Sequence, residues 1–300
     1  MNVRNTHAIK PKCAIIMATY NGGDFIESQL KSIIAQVDVT VTIYVTDDAS
    51  TDNTLNICSD NGAQIVQSNI KFGNACNNFL FSISELDIAQ DYDYVFLSDQ
   101  DDVWFPEKCI KAIKALDENN CQCYSGSYYL WQPERRKILY KNKYFPQTND
   151  DYMFRSPGPG FTFALSADAF NMIRCKFLMM RPDEIGFDWH DWLIYACARS
   201  MNLNWYIDKN PYSLYRQHAN NETGQAINLQ SYIKRFRYLF GGSYRAELLK
   251  FENFTPSDSL IITLKSFSIT DRLYLLRLLP TMRSKFIQRL GLALWLLLGR

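Results

Sequence analysis

Cys13-Ala14-Ile15-Ile16-Met17 is a continuous apolar run that stops at Ala18-Thr19-Tyr20-Asn21-Gly22-Gly23-Asp24, and this stretch decides the fold. A short unbroken apolar run is the pattern of a strand covered on both faces, and the polar segment after it reads as a loop at the strand's carboxyl end. Ile26, Leu30, Ile33 and Ile34 then recur at helical spacing, and residues 39–45 are rich in β-branched side chains before stopping at Asp47-Asp48-Ala49-Ser50. That is a β-α-β unit. A helix from about Thr51, a strand over 64–67, a helix over 74–86, a strand over 94–97 and a helix over 106–119 continue the alternation. The pattern predicts an α/β fold of three layers, α/β/α, around a mainly parallel sheet.

The chain has 300 residues, 47% hydrophobic and 21% charged, which excludes intrinsic disorder and a small disulfide scaffold. Lys plus Arg (32) almost balances Asp plus Glu (31), so a formal charge of +1 gives no whole-protein case for binding nucleic acid. The balance is uneven. From Gln230 onward there are 12 Lys/Arg against 4 Asp/Glu, leaving 20 against 27 for the first 229 residues. Eight scattered cysteines without a C-x-x-C pair read as reduced core residues of a cytosolic protein, and with only three histidines and no clustered Cys/His ligands a structural zinc site is not expected. Residues 1–12 lack a signal-peptide core, and the apolar run over 292–298 is far shorter than a membrane span, so a cytoplasmic chain is expected. No internal repeat is visible. Neither a G-x-G-x-x-G after the first strand nor a P-loop lysine motif is present, which disfavours a Rossmann-type dinucleotide site.

In open α/β sheets ligands sit beyond the carboxyl ends of the strands, and the polar clusters fall there: Thr19 to Asn21, Asp47-Asp48, and Ser98-Asp99-Gln100-Asp101-Asp102. Three carboxylates within four positions repel one another unless a cation lies between them. Hard oxygens without thiolates suit Mg²⁺ or Mn²⁺, which keep open positions for phosphate oxygens. The plainer reading of Asp102 is an acidic complement to the dipole of the next helix. Asp47 reads equally well as a strand-to-helix cap. Asp48, held above the sheet, can accept the imide N–H of a uracil or thymine base, with Tyr20 stacked on the base.

These three motifs, in this order, resemble the signature of family 2 glycosyltransferases, nucleotide-sugar-dependent inverting enzymes of GT-A fold. The resemblance covers roughly 12–221, and Asp-Gln-Asp-Asp-x-Trp is most similar to rhamnosyltransferase-like members that build bacterial surface polysaccharides such as O-antigen or capsule. It implies that Ala18, Thr19, Tyr20 and Asn21 border the donor, that Asp48 binds the base, that Asp99 lies near the ribose, and that Asp101 holds Mn²⁺ or Mg²⁺ on the diphosphate. It also implies a nucleotide-diphosphate sugar donor and a glycan or lipid-linked glycan acceptor.

Pro157-Gly158-Pro159-Gly160 is a turn feeding a β-rich run, where glycine admits close approach; the resemblance sets a similar segment beside the acceptor, making Gly160 a binding candidate. Phe187-Asp188-Trp189-His190-Asp191-Trp192 opens an amphipathic helix to about Ser200. Tryptophans at 189 and 192 can wall Asp191 from water, raise its pKa and give a sugar ring an apolar platform. The segment resembles the family's catalytic-base region, which assigns Asp191 the proton-accepting role, with His190 as competitor. Tyr215-Arg216-Gln217-His218 resembles a segment closing over the donor diphosphate, where His218 completes the metal's coordination and Arg216 pairs with phosphate.

These readings divide the chain into a catalytic domain over 1–225, with donor half 12–120 and acceptor half 121–225, and a basic amphipathic helical region over 226–300. The latter mixes Arg272, Arg277, Arg283, Lys285 and Arg289 with leucines and aromatics, and reads as a peripheral contact with the cytoplasmic face of the inner membrane; the plainer reading is packing on the catalytic core. The Asn221-Glu222-Thr223 sequon carries no meaning in a cytosolic chain. Two rival functions remain: an aspartate-nucleophile phosphatase reading of Asp99-Gln100-Asp101-Asp102-Val103, and a non-catalytic nucleotide-sugar-binding subunit.

Overall fold

Alternation along the first strand builds the layers. In the computed structural model, which describes residues 9–66, 71–181, 186–218, 236–254 and 259–299, β1 (Lys12–Thr19) is buried from its second residue onward. Cys13, Ile15 and Met17 pack into one core with α1 (Ile26–Ile34) and α4 (Lys108–Glu118). Ala14, Ile16 and Ala18 pack into the other with α3 (Ala75–Glu85), α5 (Ala167–Met180) and α6 (His190–Ser200). A strand whose two faces are both covered needs apolar residues at every position, which is what its composition supplies.

The remaining strands are β2 (Thr40–Asp47), β3 (Gln64–Val66), β4 (Tyr94–Ser98), β5 (Val103–Trp104), β6 (Cys123–Gln132), β7 (Lys137–Lys141), β8 (Ala164–Ser166) and β9 (Trp205–Arg216), and α2 spans Thr54–Asp60. They form one sheet of order β3-β2-β1-β4-β8-β6-β9-β5, with β7 on β6. The β3-β2-β1-β4 half is parallel. Beyond it β8 runs antiparallel to both β4 and β6, and β6 pairs in parallel with β9, so the acceptor half is mixed. The β6–β9 register shifts around Ser127, which faces Pro211; proline has no N–H to give a ladder, and an irregularity there absorbs the missing bond.

The C-terminal helices, α7 (Ser243–Lys250), α8 (Ser259–Ser266), α9 (Ile269–Arg277), α10 (Leu279–Met282) and α11 (Phe286–Leu298), bury Leu248, Phe251, Leu264, Leu275 and Trp295 in the same core as α5 and α6. The plainer reading of this region therefore holds for one of its faces. Three of its arginines are spent on backbone carbonyls: Arg272 donates to the carbonyls of Leu296 and Leu297, Arg289 to those of Arg283 and Ser284, and Arg245 to Leu264 and Lys265. Exposed on the other face are Phe286, Ile287, Leu290, Leu294, Leu297 and Leu298. No helix among the described residues is long and apolar enough to cross a membrane. The boundary expected at 225/226 and the sequon at 221–223 lie outside the described residues.

Candidate functional site

β2, β1 and β4 are neighbours and run the same way, so their carboxyl ends meet: Thr19 is in register with Asp47, and Met17 with Ser98. Side chains then lock the three loops together. The Thr19 hydroxyl donates to Asp47 Oδ1 at 2.7 Å, and the Asn21 amide donates to Ser50 Oγ at 2.7 Å while its side chain accepts from the Thr51 N–H. Gln100 clasps the backbone of Tyr20, accepting from its N–H and donating to its carbonyl, both at 2.9 Å. A Cβ on Gly22 would lie 2.2 Å from Gln100 Oε1, so glycine is what lets the clasp close.

Ala18 is buried in the core and Thr19 is spent on Asp47, so these two position the loop, whereas Tyr20 is 48% exposed and free to meet a flat ring. Asp47 also accepts from the Ser50 hydroxyl and N–H, which closes the turn after β2 and does not cap α2, a helix that begins at Thr54. Asp48 is nearly buried, and its two oxygens accept the backbone N–H groups of Phe72 and Gly73. A carboxylate offers about four acceptor positions, so Asp48 both pins that segment and retains capacity for a base.

Across the third motif, Asp101 Oδ2 and His218 Nε2 lie 2.8 Å apart. The imidazole stacks on Phe25 with ring centres 4.4 Å apart. Arg216 holds the same corner: its Nε donates to the Asp101 carbonyl at 3.0 Å, its backbone N–H to Asp102 Oδ1, and its guanidinium lies 4.4 Å from the Trp131 ring centre. Asp102 is fully buried, and burial, with the charges of Asp101 and Asp99, pushes its pKa well above the usual carboxylate range. Lys108 beneath it is buried over Trp104 and donates to the Phe161 carbonyl; desolvation brings it down to about 8. Asp101 and His218 offer a hard oxygen and an imidazole nitrogen, and among the described residues no set of three His, Cys, Asp or Glu could hold a metal. Two protein ligands suit an ion that completes its shell with phosphate oxygens and water.

A cleft of about 1490 Å³ runs from His218 and Tyr215 past Asp191 to the C-terminal helices. Asp191 lies in the first turn of α6, its Oδ1 accepting the Trp192 N–H at 2.7 Å and its Oδ2 lying 3.0 Å from the Ser156 hydroxyl. Burial raises its pKa to about 6, against the pull of Ser156, the Trp192 N–H and Lys143.

Several expectations need correction here. Trp192 is no sugar platform: it is buried, donates through Nε1 to the Tyr152 carbonyl and packs on Tyr244 and Phe251. Trp189, one residue before the helix, is 40% exposed and lines the cleft instead. His190 stacks on Phe79, its Nε2 is buried without a partner, and desolvation lowers it to about 4, so it does not compete with Asp191. What approaches Gly160 is that same imidazole: a Cβ on Gly160 would lie 2.2 Å from His190 Nε2. Gly160 is thus a packing glycine. Ser156 and Lys143 were missed, because nothing local marks a serine or lysine whose partner lies tens of residues away, and Gln100, though it stands inside the acidic motif, carried no sign of its clasp on Tyr20.

The sequence over 14–183 matches the model of Glycosyl transferase family 2. The chain is 41% identical over 253 residues to the dTDP-rhamnosyl transferase RfbG of Shigella flexneri, covering 82% of this chain and 86% of that protein. Its fold is similar to that of S. aureus TarS 1–349 in complex with UDP-GlcNAc, with a TM-score of 0.50 at 17% identity over 95% of this chain and 81% of the other. With the motifs on adjoining strand ends and the acidic loop after the fourth strand rather than the first, the phosphatase reading falls away. The protein is a glycosyltransferase and belongs to Glycosyl transferase family 2.

Proposed function

We propose that the protein transfers rhamnose, or a closely related hexose, from a dTDP-linked donor to a hydroxyl of a glycan acceptor in surface polysaccharide synthesis, with inversion at the anomeric carbon. The observation that carries this reading is the 2.8 Å approach of Asp101 and His218 at one end of the cleft that Asp191 lines. The name of the 41% identical relative supports the donor.

In this reading Tyr20 stacks on the thymine and Asp48 accepts its imide N–H. Asp99 lies near the ribose, and Arg216 holds the diphosphate by charge-assisted hydrogen bonds. Asp101 and His218 hold Mn²⁺ or Mg²⁺, which when bound offsets charge on the leaving diphosphate. Asp191 takes the proton of the acceptor hydroxyl, Ser156 fixing its orientation. The hydroxyl oxygen bonds to the anomeric carbon as the carbon–oxygen bond to the diphosphate breaks, its electron pair leaving with the nucleotide. Trp189 offers its exposed face to an acceptor sugar. A lipid-linked acceptor fits the apolar face of α11, which we read as a peripheral membrane contact on the cytoplasmic side. Incubating the protein with a panel of nucleotide sugars tests the donor: turnover of dTDP-rhamnose above the others is expected, and preference for a different base would end the thymine assignment.

A further inference from the structure

The cleft is strongly basic on its acceptor side. Arg135, Lys141, Lys143, Arg155, Arg283 and Lys285 line it, against Glu134 and Asp191. Two of these cations are brought together by one short segment. Arg283 Nη2 donates to the carbonyl of Phe154, and Arg155 is the next residue. The Tyr244 hydroxyl donates to the same carbonyl at 2.9 Å, fixing it. Arg155 lies over the Phe145 ring, its guanidinium carbon 2.9 Å from the centre, and donates to Gln288 Oε1 at 2.7 Å.

Both arginines are half-buried, and the partners described for them are neutral. The ion pairs among the described residues include neither. Asp151, the nearby carboxylate, is already taken by Tyr195, Arg199 and the Thr148 N–H. Desolvation and the charge of Arg283 bring Arg155 down to about 10. Confined like charges with unspent donors are costly unless an anion completes them, and guanidinium pairs match phosphate oxygens. Beyond them the cleft wall turns apolar at Gly291, Leu292 and Trp295 of α11, whose outer face exposes Leu290 and Leu294.

We propose that Arg155 and Arg283, with Lys285 at the rim, form a diphosphate subsite for the acceptor, distinct from the donor corner at Asp101 and His218. The subsite rests on the reading above that this cleft receives the acceptor. Ser156 follows Arg155 and contacts Asp191, so an acceptor anchored by its diphosphate presents its sugar toward the base. The apolar wall suits a hydrocarbon on the far side of the phosphates.

Calorimetry on the full chain tests this with two probes, farnesyl diphosphate and inorganic pyrophosphate, in saturating dTDP and Mn²⁺. Arg155→Gln and Arg283→Gln should each weaken farnesyl diphosphate at least tenfold while dTDP binds as before, which also reports folding. Gly291→Phe, at a position where an added Cβ meets open space, should weaken farnesyl diphosphate but not pyrophosphate, supporting a lipid-linked occupant. Equal binding of both probes, lost in the arginine variants, supports the subsite with free phosphate as its source. Unchanged binding of both probes in both arginine variants, or their exclusion by dTDP, would overturn the proposal. If the arginine variants lose dTDP through misfolding, Lys285→Gln carries the test, with a several-fold loss of either probe expected and no loss overturning it. Failure of the wild type to bind dTDP counts against the donor reading alone, since the farnesyl diphosphate titration is read separately.

Discussion

Nε2 of His218 lies 2.8 Å from Oδ2 of Asp101 although 117 positions separate them. The contact exists because β9 ends beside the loop after β4, with Arg216 tied to the backbone of Asp101 and to Asp102. Phe25 stacked on the imidazole fixes the ring. If these two side chains hold the divalent ion, Asp101→Ala and His218→Ala should each weaken Mn²⁺-dependent dTDP binding by about tenfold or more, a loss of about 1.4 kcal/mol or greater. Titration with and without Mn²⁺ reads this, and equal metal stimulation in the variants would remove the assignment.

Asp191→Asn should cut turnover by ~10²–10⁴-fold, the usual contribution of a positioned base, and leave dTDP binding intact. The pH profile gives a second check. A base works as the carboxylate, so activity should rise with pH through the group's value of about 6 and level off above it. Ser156 and the Trp192 N–H favour the charged form, while burial opposes it. Removing the hydroxyl in Ser156→Ala should therefore move the acidic limb to higher pH. A limb that stays in place in that variant would separate Ser156 from the base.

Gly160 and His190 make a packing pair that a double-mutant cycle can expose. An added methyl on Gly160 would collide with an imidazole already stacked on Phe79, so Gly160→Ala should cost about 1–3 kcal/mol, the range for overpacking. Shortening the ring relieves the collision, and Gly160→Ala in a His190→Ala background should cost much less. Thermal melting of the four proteins measures the coupling. Loss of acceptor binding with no loss of stability in Gly160→Ala would instead return the glycine to the ligand.

The donor half was legible because its information is local. β1 and β4 are short apolar runs and β2 is rich in β-branched residues, each stops at a polar cluster, and the sheet order sets those clusters side by side. The acceptor half was not, since β8 has three residues and β9 carries Pro211 in mid-strand at a register shift. Their pairing depends on contacts that no window of sequence contains. The same limit explains Trp192 and Asp48. Helical spacing puts Trp192 on the buried face of α6 only once α7 covers it, and the amides of Phe72 and Gly73 reach Asp48 from 24 and 25 positions away. The polar ends of strands announce where a site lies, whereas what each side chain touches there is settled by the fold.

The tail supplies the last test. Phe286 is 70% exposed and Ile287 81%, at the start of a helix whose Leu290, Leu294 and Leu298 continue the same open face. Burying one such side chain is worth ~1.5–3 kcal/mol when complete, so even partial insertion of both makes a measurable contribution. Phe286→Ser/Ile287→Ser should reduce flotation with anionic vesicles about tenfold or more and leave the melting temperature unchanged, because neither residue is packed. Salt should matter less than composition suggests. Arg272 and Arg289 are spent on carbonyls, which leaves Arg277 and Lys285 as exposed cations of α9 and its connection to α11, at about 1 kcal/mol each near a charged surface. Flotation that vanishes in high salt while surviving the double serine substitution would show that cations, not the apolar face, hold the surface.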